Sequence, residues 1–439
     1  MKQKWNEKYM YYGIMLFVVA IFLVIMLPER KKGETELDIE SKLPKIQQEE
    51  AQSKAQQQAQ MIRVVIKTNG FQEIAHAEIK FQAEGGLIAT AGDERREYGQ
   101  GKVFAVTPDD AMFQKGTIKV ESVVPEDKIT VSSLNRGYGT PSYRGSFELF
   151  SSAEGMILVN ELPLEEYLYA VVPSEMPASY ELEALKAQAV CARSYAYNQT
   201  QGLSYPEYNA HVDDSTSFQV YGNSKEQESA IQAVNETQGQ KLWYQNQVVT
   251  AYYYSTSCGK STGIEAWGTT PDEQNQYLQS VEICKEDGNA YEAELPWYRW
   301  RAVVQEGVLS NLIELNTATE IGTLQNVSVT KQGAGGVALQ IVAQGDGGSV
   351  TVDTENKIRR ALGGKGYKIE KQDGTVVDSQ TLLPSAFFQI EKSEGNYIIN
   401  GGGYGHGIGM SQNGANEMAK CGKTYIEILQ LFYQGVTVE

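Results

Sequence analysis

From Glu181 to Ala196 the chain reads ELEALKAQAVCARSYA, and Leu185, Ala189, Ala192 and Ala196 recur at helical spacing on one face. A stripe of small side chains lets another backbone approach very closely, so this helix is expected to be buried and to give rigid support to whatever adjoins it. Glu181 and Glu183 suit the positive end of a helix dipole and mark its start. Just upstream, Glu175 stands between Ser174 and the Met176–Pro177 pair, with Val171, Val172 and Pro173 before it. The two prolines predict a rigid turn. Apolar neighbours favour a raised pKa, hence a carboxyl group with a proton to donate near neutrality. The plain alternative is an exposed turn glutamate.

Short segments before this region, RVVIKT, AEIKFQA, KVFAVTP and GTIKVESV, alternate apolar and polar residues and end at Gly, Pro or Asp clusters, as strands do. They predict a β-rich part over residues 61–150. A mixed core follows over 151–439, with a strand-like run through Tyr252 to Ser257 and a closing helix around Thr424 to Tyr433. The fold class is α+β. Upstream, Met10 to Leu27 carries no charge and is long enough to cross a bilayer as a helix. No small-x-small cleavage pattern follows it, which predicts an uncleaved anchor over 10–28 behind a short cytoplasmic tail, 1–9. Residues 29–60 are polar and rich in Gln, Glu and Lys, as expected of a solvated stalk.

The formal net charge of −17 argues against nucleic acid or an anionic surface as main partner. A neutral polymer fits better, and 26 tyrosines provide rings able to stack on sugar faces while their hydroxyls bond sugar oxygens. The segment GGGYGHGIGM has neither dinucleotide-binding nor P-loop spacing. Its glycines are read as allowing positive φ or a close backbone approach to a sugar, with His406 presenting a donor. Ser411 suits the N-cap of the helix that follows. Ser257-Cys258-Gly259-Lys260 matches the Ser-x-x-Lys pattern of penicillin-binding enzymes but follows a strand, and no Lys-Thr-Gly triplet comes after it. Ser255 and Ser257 are read as substrate-contacting or turn hydroxyls. Four cysteines permit three full pairings, among which Cys258 with Cys284 would close a loop containing Trp267.

Three blocks, NELPLEEYLYAVVPSEMPASYELEALKAQAVCARSYA, YYYSTSCGKSTGIEAWG and GGGYGHGIGMSQNGANEMAKCGKTYIEILQLFYQGVTVE, stand in the order found in the stage II sporulation protein D family. The chain resembles that family of peptidoglycan lytic transglycosylases and amidase enhancers from roughly Met61 to Glu439. The resemblance implies that Glu175 is the catalytic acid and base, and that Gln188, Arg193, Tyr195, Ser255, Ser257, His406, Ser411 and Gln412 contact or orient substrate. For Arg193 the ordinary alternative is a pair with a structural carboxylate. Some family members hold zinc with Cys and His in the segment that here reads DDSTSFQVY, where Asp213, Ser217 and Phe218 replace the ligands. No metal and no cofactor is therefore expected.

Ordinary glycosidases need two carboxylates, whereas a lytic transglycosylase can use one. The resemblance implies that Glu175 protonates the bond between N-acetylmuramic acid and N-acetylglucosamine. It would then take the proton of the muramyl C6 hydroxyl, leaving a 1,6-anhydro end. It also implies glycan strands stripped of stem peptides as substrate, an amidase partner in an engulfment complex, and a catalytic domain outside the mother-cell membrane, facing the septum. A hydrolytic muramidase using Asp213, Asp214 or Glu265 as second carboxylate, or a glycan-binding amidase enhancer without catalysis, are the rival readings.

Overall fold

The computed structural model describes residues 60–439, so the apolar stretch 10–28 and the linker up to residue 59 lie outside the described residues. Among the described residues no helix is long and apolar enough to cross a membrane. The chain is mixed α+β.

The alternating segments form sheets. Strand Met61–Ile66 lies between Gly155–Pro163, antiparallel, and Val212–Asp213, parallel. Ser146–Ser152, Ile118–Ser122, Leu87–Ala91 and Glu94–Tyr98 extend the sheet outward from Gly155–Pro163. Residues Ile62 through Ile66 are buried on both faces, Ile62, Val64 and Ile66 against the main core and Val65 against a smaller cluster with Ile157, Val159 and Ala210. Such a run, whose one charged member Arg63 is paired with Glu148 and Glu161, suits a strand covered on both sides.

Helix α1, Leu164–Glu175, leaves directly from strand Gly155–Pro163, with Pro163 at its N-cap. Helix α2, Leu182–Gln199, is the predicted small-residue helix: Leu185, Ala189, Ala192 and Ala196 are all buried. It packs on α1 and on α3, Glu228–Glu236. Between Trp300 and Ile399 the chain builds a separate hydrophobic core from a five-stranded antiparallel sheet, a three-stranded sheet and helices α4, Glu306–Thr317, and α5, Glu355–Leu362. It then returns to the first core, where strand Met410–Ser411 pairs in parallel with Tyr253–Tyr254.

The return passes through the glycine-rich segment. Gly405 and Gly409 have φ of +121° and +75°, and a Cβ at Gly409 would lie 2.0 Å from the Tyr252 carbonyl oxygen. Glycine is required because the backbone crosses the tyrosine strand at contact distance. The close approach is to the chain's own strand. Ser411 then caps α6, Gln412–Lys420, by accepting from the Gly414 N–H, and a Thr424–Glu427 capping box starts α7, Tyr425–Phe432. Both helices pack on α2, so the C-terminal segment closes against the helix beside Glu175.

Candidate active site

Glu175 is the last residue of α1; the predicted turn between Pro173 and Pro177 is instead a helix end with Pro173 inside it. Proline fits there because its fixed φ is helical and only one carbonyl a turn earlier loses its donor. Ser174 donates its hydroxyl to the Ala170 carbonyl at 2.6 Å, and the Met176 N–H closes the last turn on Val172. The Glu175 backbone carbonyl accepts from Gln412 Nε2 at 3.0 Å, and the same amide reaches Gln188 Oε1 at 3.3 Å. The C-terminal helix thus fastens the end of α1.

The carboxyl group is half-buried, and one oxygen accepts the Val220 backbone N–H at 2.7 Å. Burial raises its pKa to about 7, against the opposing pull of the Val220 N–H and the Tyr253 hydroxyl. Its place at the negative end of α1 acts in the same direction as burial. A carboxyl with such a pKa is populated in both protonation states near neutrality.

It opens on a cleft of about 320 Å³ lined by Tyr195, Thr216 to Val220, Ala251 to Tyr253, Trp267 and His406. The wall opposite is aromatic: the Tyr252 ring meets Trp267 edge-on at 4.7 Å, Trp267 lies 5.2 Å from His406, and Tyr195 lies 6.3 Å from Tyr252. Trp267 is fixed from the second core, since its Nε1–H donates to Glu355 at 2.9 Å and Glu355 accepts from Arg359. Rings held in this way present flat apolar faces to a ligand without the entropy of ordering them on binding.

Of the residues expected to contact substrate, Tyr195 and His406 line the cleft together with Glu175. His406 is not a free donor. Its Nδ1 accepts the Ile408 N–H at 3.1 Å, which leaves the proton on Nε2, and that atom donates to the Tyr253 carbonyl at 2.9 Å. Burial lowers its pKa to about 4, so the ring is neutral. Gln188 and Gln412 stand behind Glu175 as its backbone support. Arg193 corrects the expectation that it orients Glu175: its Nε and Nη2 grip Glu165 at 2.7 Å each, and its remaining donors reach the carbonyls of Val234 and Gln240 at 3.1 Å. It is the pair with a structural carboxylate.

Ser257 and Ser411 are likewise turned inward, onto the buried carboxyl of Glu292. Burial raises the Glu292 pKa to about 7, with Ser257 and Ser411 drawing it back. Ser255 is half-buried, its hydroxyl 3.1 Å from that of Thr256, and it does not line the cleft. The four cysteines are free thiols, and among the described residues no group of three or more His, Cys, Asp or Glu is placed to hold a metal ion.

The candidate second carboxylates are engaged elsewhere. Asp214 is buried against Arg136 at 2.7 Å, Asp213 accepts from Tyr205 and Ser215, and Glu265 lines a different hollow with Pro271, Asn275 and Ser280. Glu175 is the one carboxyl group among the described residues that line the cleft. Sequence reasoning missed the Val220 N–H, Gln219 and Tyr253. A backbone donor leaves no trace in residue identity, and Tyr253 is the middle of three consecutive tyrosines.

Residues 152–244 match the family described as stage II sporulation protein, and residues 247–409 match a domain of unknown function. The chain is 32% identical over 295 residues to stage II sporulation protein D of Bacillus amyloliquefaciens, covering 64% of this chain and 75% of that protein. Identity to the protein of the same name from Bacillus subtilis (strain 168) is also 32%, over 294 residues with the same coverage. An amidase enhancer of Bacillus subtilis (strain 168) is 30% identical over 296 residues, 62% of this chain and 40% of that protein.

Proposed function

Since the chain belongs to the stage II sporulation protein D family, we propose that it serves the cell wall in sporulation as a lytic transglycosylase acting on peptidoglycan glycan strands. One observation carries this reading: a single carboxyl group, with pKa near 7, faces an aromatic cleft while the rival carboxylates are engaged elsewhere. Ordinary inverting and retaining hydrolases use a second carboxylate across the bond, substrate-assisted ones excepted. A chemistry that returns the proton to the same group does not.

In the proposed reaction, protonated Glu175 gives its proton to the glycosidic oxygen as the muramyl C1–O bond breaks. The resulting carboxylate takes the proton of the C6 hydroxyl as that oxygen bonds to C1, which restores the acid. No water is consumed. The cleft rings stack on the sugar faces. The domain acts outside the cell membrane on strands freed of stem peptides, beside an amidase; the relation to an amidase enhancer supports such a partner. The test is mass spectrometry of peptide-free glycan strands incubated with the chain and with Glu175→Gln. Anhydromuramyl ends that vanish in the variant are expected. Reducing ends would mean a hydrolase, and no cleavage by the folded chain would favour the amidase-enhancer reading.

A further inference from the structure

From Ser215 to Tyr221 the backbone forms neither helix nor strand, yet this segment supplies the N–H that reaches the Glu175 carboxyl, that of Val220 at 2.7 Å. Main-chain hydrogen bonds hold its ends: the Phe218 N–H donates to the Ser215 carbonyl at 3.1 Å and the Tyr221 N–H to the Asp214 carbonyl at 3.2 Å. Among the described residues, none joins the main chain of Gln219 or Val220 to another main-chain group. What holds the peptide between them is a side chain. Gln219 is 1% exposed, whereas Thr216, Ser217, Phe218 and Val220 are exposed or half-buried. Its Nε2 donates to the Ala192 carbonyl of α2 at 3.3 Å and to the Tyr253 hydroxyl at 3.1 Å, and its Oε1 accepts from the Tyr167 hydroxyl of α1 at 3.4 Å. The Ala192 carbonyl can only accept, which fixes which way round the amide sits. Each bond is long, so the three together place the amide. They tie it to α1, which ends in Glu175, and to α2 and the tyrosine strand, which both line the cleft.

We propose that Gln219 is a positioning residue, whose side chain, bonded to α1, α2 and the tyrosine strand, fixes the 219–220 peptide so that the Val220 N–H meets the Glu175 carboxyl. The N–H on Val220 shares a rigid plane with the Gln219 carbonyl, so anchoring Gln219 sets the direction of that donor. A donor on an irregular segment would otherwise have to be ordered each time the carboxyl ionises. Held in place, it stabilises the carboxylate left when the proton departs and keeps the group in position for the proton's return. The inference rests on the proposed reaction only for what the carboxyl does to a ligand. The peptide geometry belongs to the folded chain, whether or not it cleaves glycan.

The test is a titration of Glu175 by infrared spectroscopy on the 439-residue chain labelled with carbon-13 glutamate, with Glu175→Gln as the blank. Glu292, also raised to about 7, is present in both and cancels, and Asp214 is unlabelled. Burial raises Tyr167, Tyr195, Tyr252 and Tyr253 above the ordinary tyrosine range and keeps His406 neutral, so their charges stay constant through neutrality. Gln219→Met keeps the length of the side chain and removes its three hydrogen bonds. The Glu175 midpoint should rise by about one pH unit, the scale of one hydrogen bond to a charged group, because the carboxylate loses a fixed donor. The alkaline limb of any cleavage profile should move up with it. In the parent chain labelled with nitrogen-15 valine, the Val220 amide signal should titrate with the Glu175 midpoint, and in Gln219→Met that response should shrink. Lower stability in urea with an unmoved midpoint would make Gln219 a packing residue and overturn the proposal. If Gln219→Met does not fold, Gln219→Asn decides: its amide is one methylene too short to reach all three partners, and an unmoved midpoint there would overturn the proposal equally. If the parent chain cleaves nothing, the transglycosylase reading fails while the infrared titration still judges this one.

Discussion

Replacing Arg193 separates a structural role from a catalytic one. The guanidinium is 1% exposed and makes two 2.7 Å bonds to Glu165 and two 3.1 Å bonds to the carbonyls of Val234 and Gln240. Lysine can keep one carboxylate contact and loses the bidentate grip and the carbonyl bonds, about three hydrogen bonds at about 1 kcal/mol each. Arg193→Lys should therefore cost about 2–3 kcal/mol. Arg193→Ala removes the charge and leaves Glu165 and two inward carbonyls unpaired, for about 3–5 kcal/mol. Urea unfolding followed by circular dichroism measures both. Glycan cleavage by folded Arg193→Lys, assayed well below its unfolding transition, should stay close to that of the parent chain. Undiminished stability together with lost cleavage would refute the structural role and return Arg193 to the chemistry.

Glu175→Gln should leave the unfolding transition in place and abolish cleavage, measured by mass spectrometry of the products. The proposed reaction requires the acid form and the folded-state pKa is about 7, so cleavage should be full below neutrality and fall as pH rises through about 7; a profile rising there would exclude Glu175 as the acid. Glu292 is also raised, to about 7, so the stability it contributes is complete below the ordinary glutamate range and is lost as pH climbs toward 7. Glu292→Gln mimics the neutral form, and its melting temperature should gain on that of the parent between pH 5 and 8 as read by calorimetry. Gly409→Ala puts a Cβ 2.0 Å from the Tyr252 carbonyl at a φ of +75°, and should destabilise by about 2 kcal/mol or more in urea unfolding.

Local physics made parts of this molecule legible. The alanine stripe of α2, the alternating N-terminal strands, the Ser411 cap and the Thr424 start of the last helix depend on neighbours within a few residues. Glu175 was legible as a candidate because its apolar surroundings adjoin it in sequence. Its helical setting was not, because a proline pair looks like a turn unless the tolerance of a helix end for proline is weighed. What remained hidden is long-range. The strand Tyr253–Tyr254 finds its partner Met410–Ser411 only after a separate core, built from residues 300–399, has been inserted between them. The inward turn of Ser257 and Ser411 depends on Glu292, a residue with no motif around it.

The polar residues expected at the substrate divide into two shells for one electrostatic reason. The proposed acid, to stay protonated near neutrality, needs an uncharged rim and cannot share it with an arginine, which would lower its pKa by stabilising the carboxylate. The cleft wall accordingly uses tyrosine, tryptophan and a neutral histidine. Arg193, Asp213 and Asp214 are each neutralised or hydrogen-bonded away from it. A single carboxyl in such a wall can donate a proton readily, but it has no ionised neighbour to activate a water molecule. In the proposed reaction the proton acceptor for the second half is Glu175 itself, as an intramolecular ring closure by a sugar hydroxyl allows.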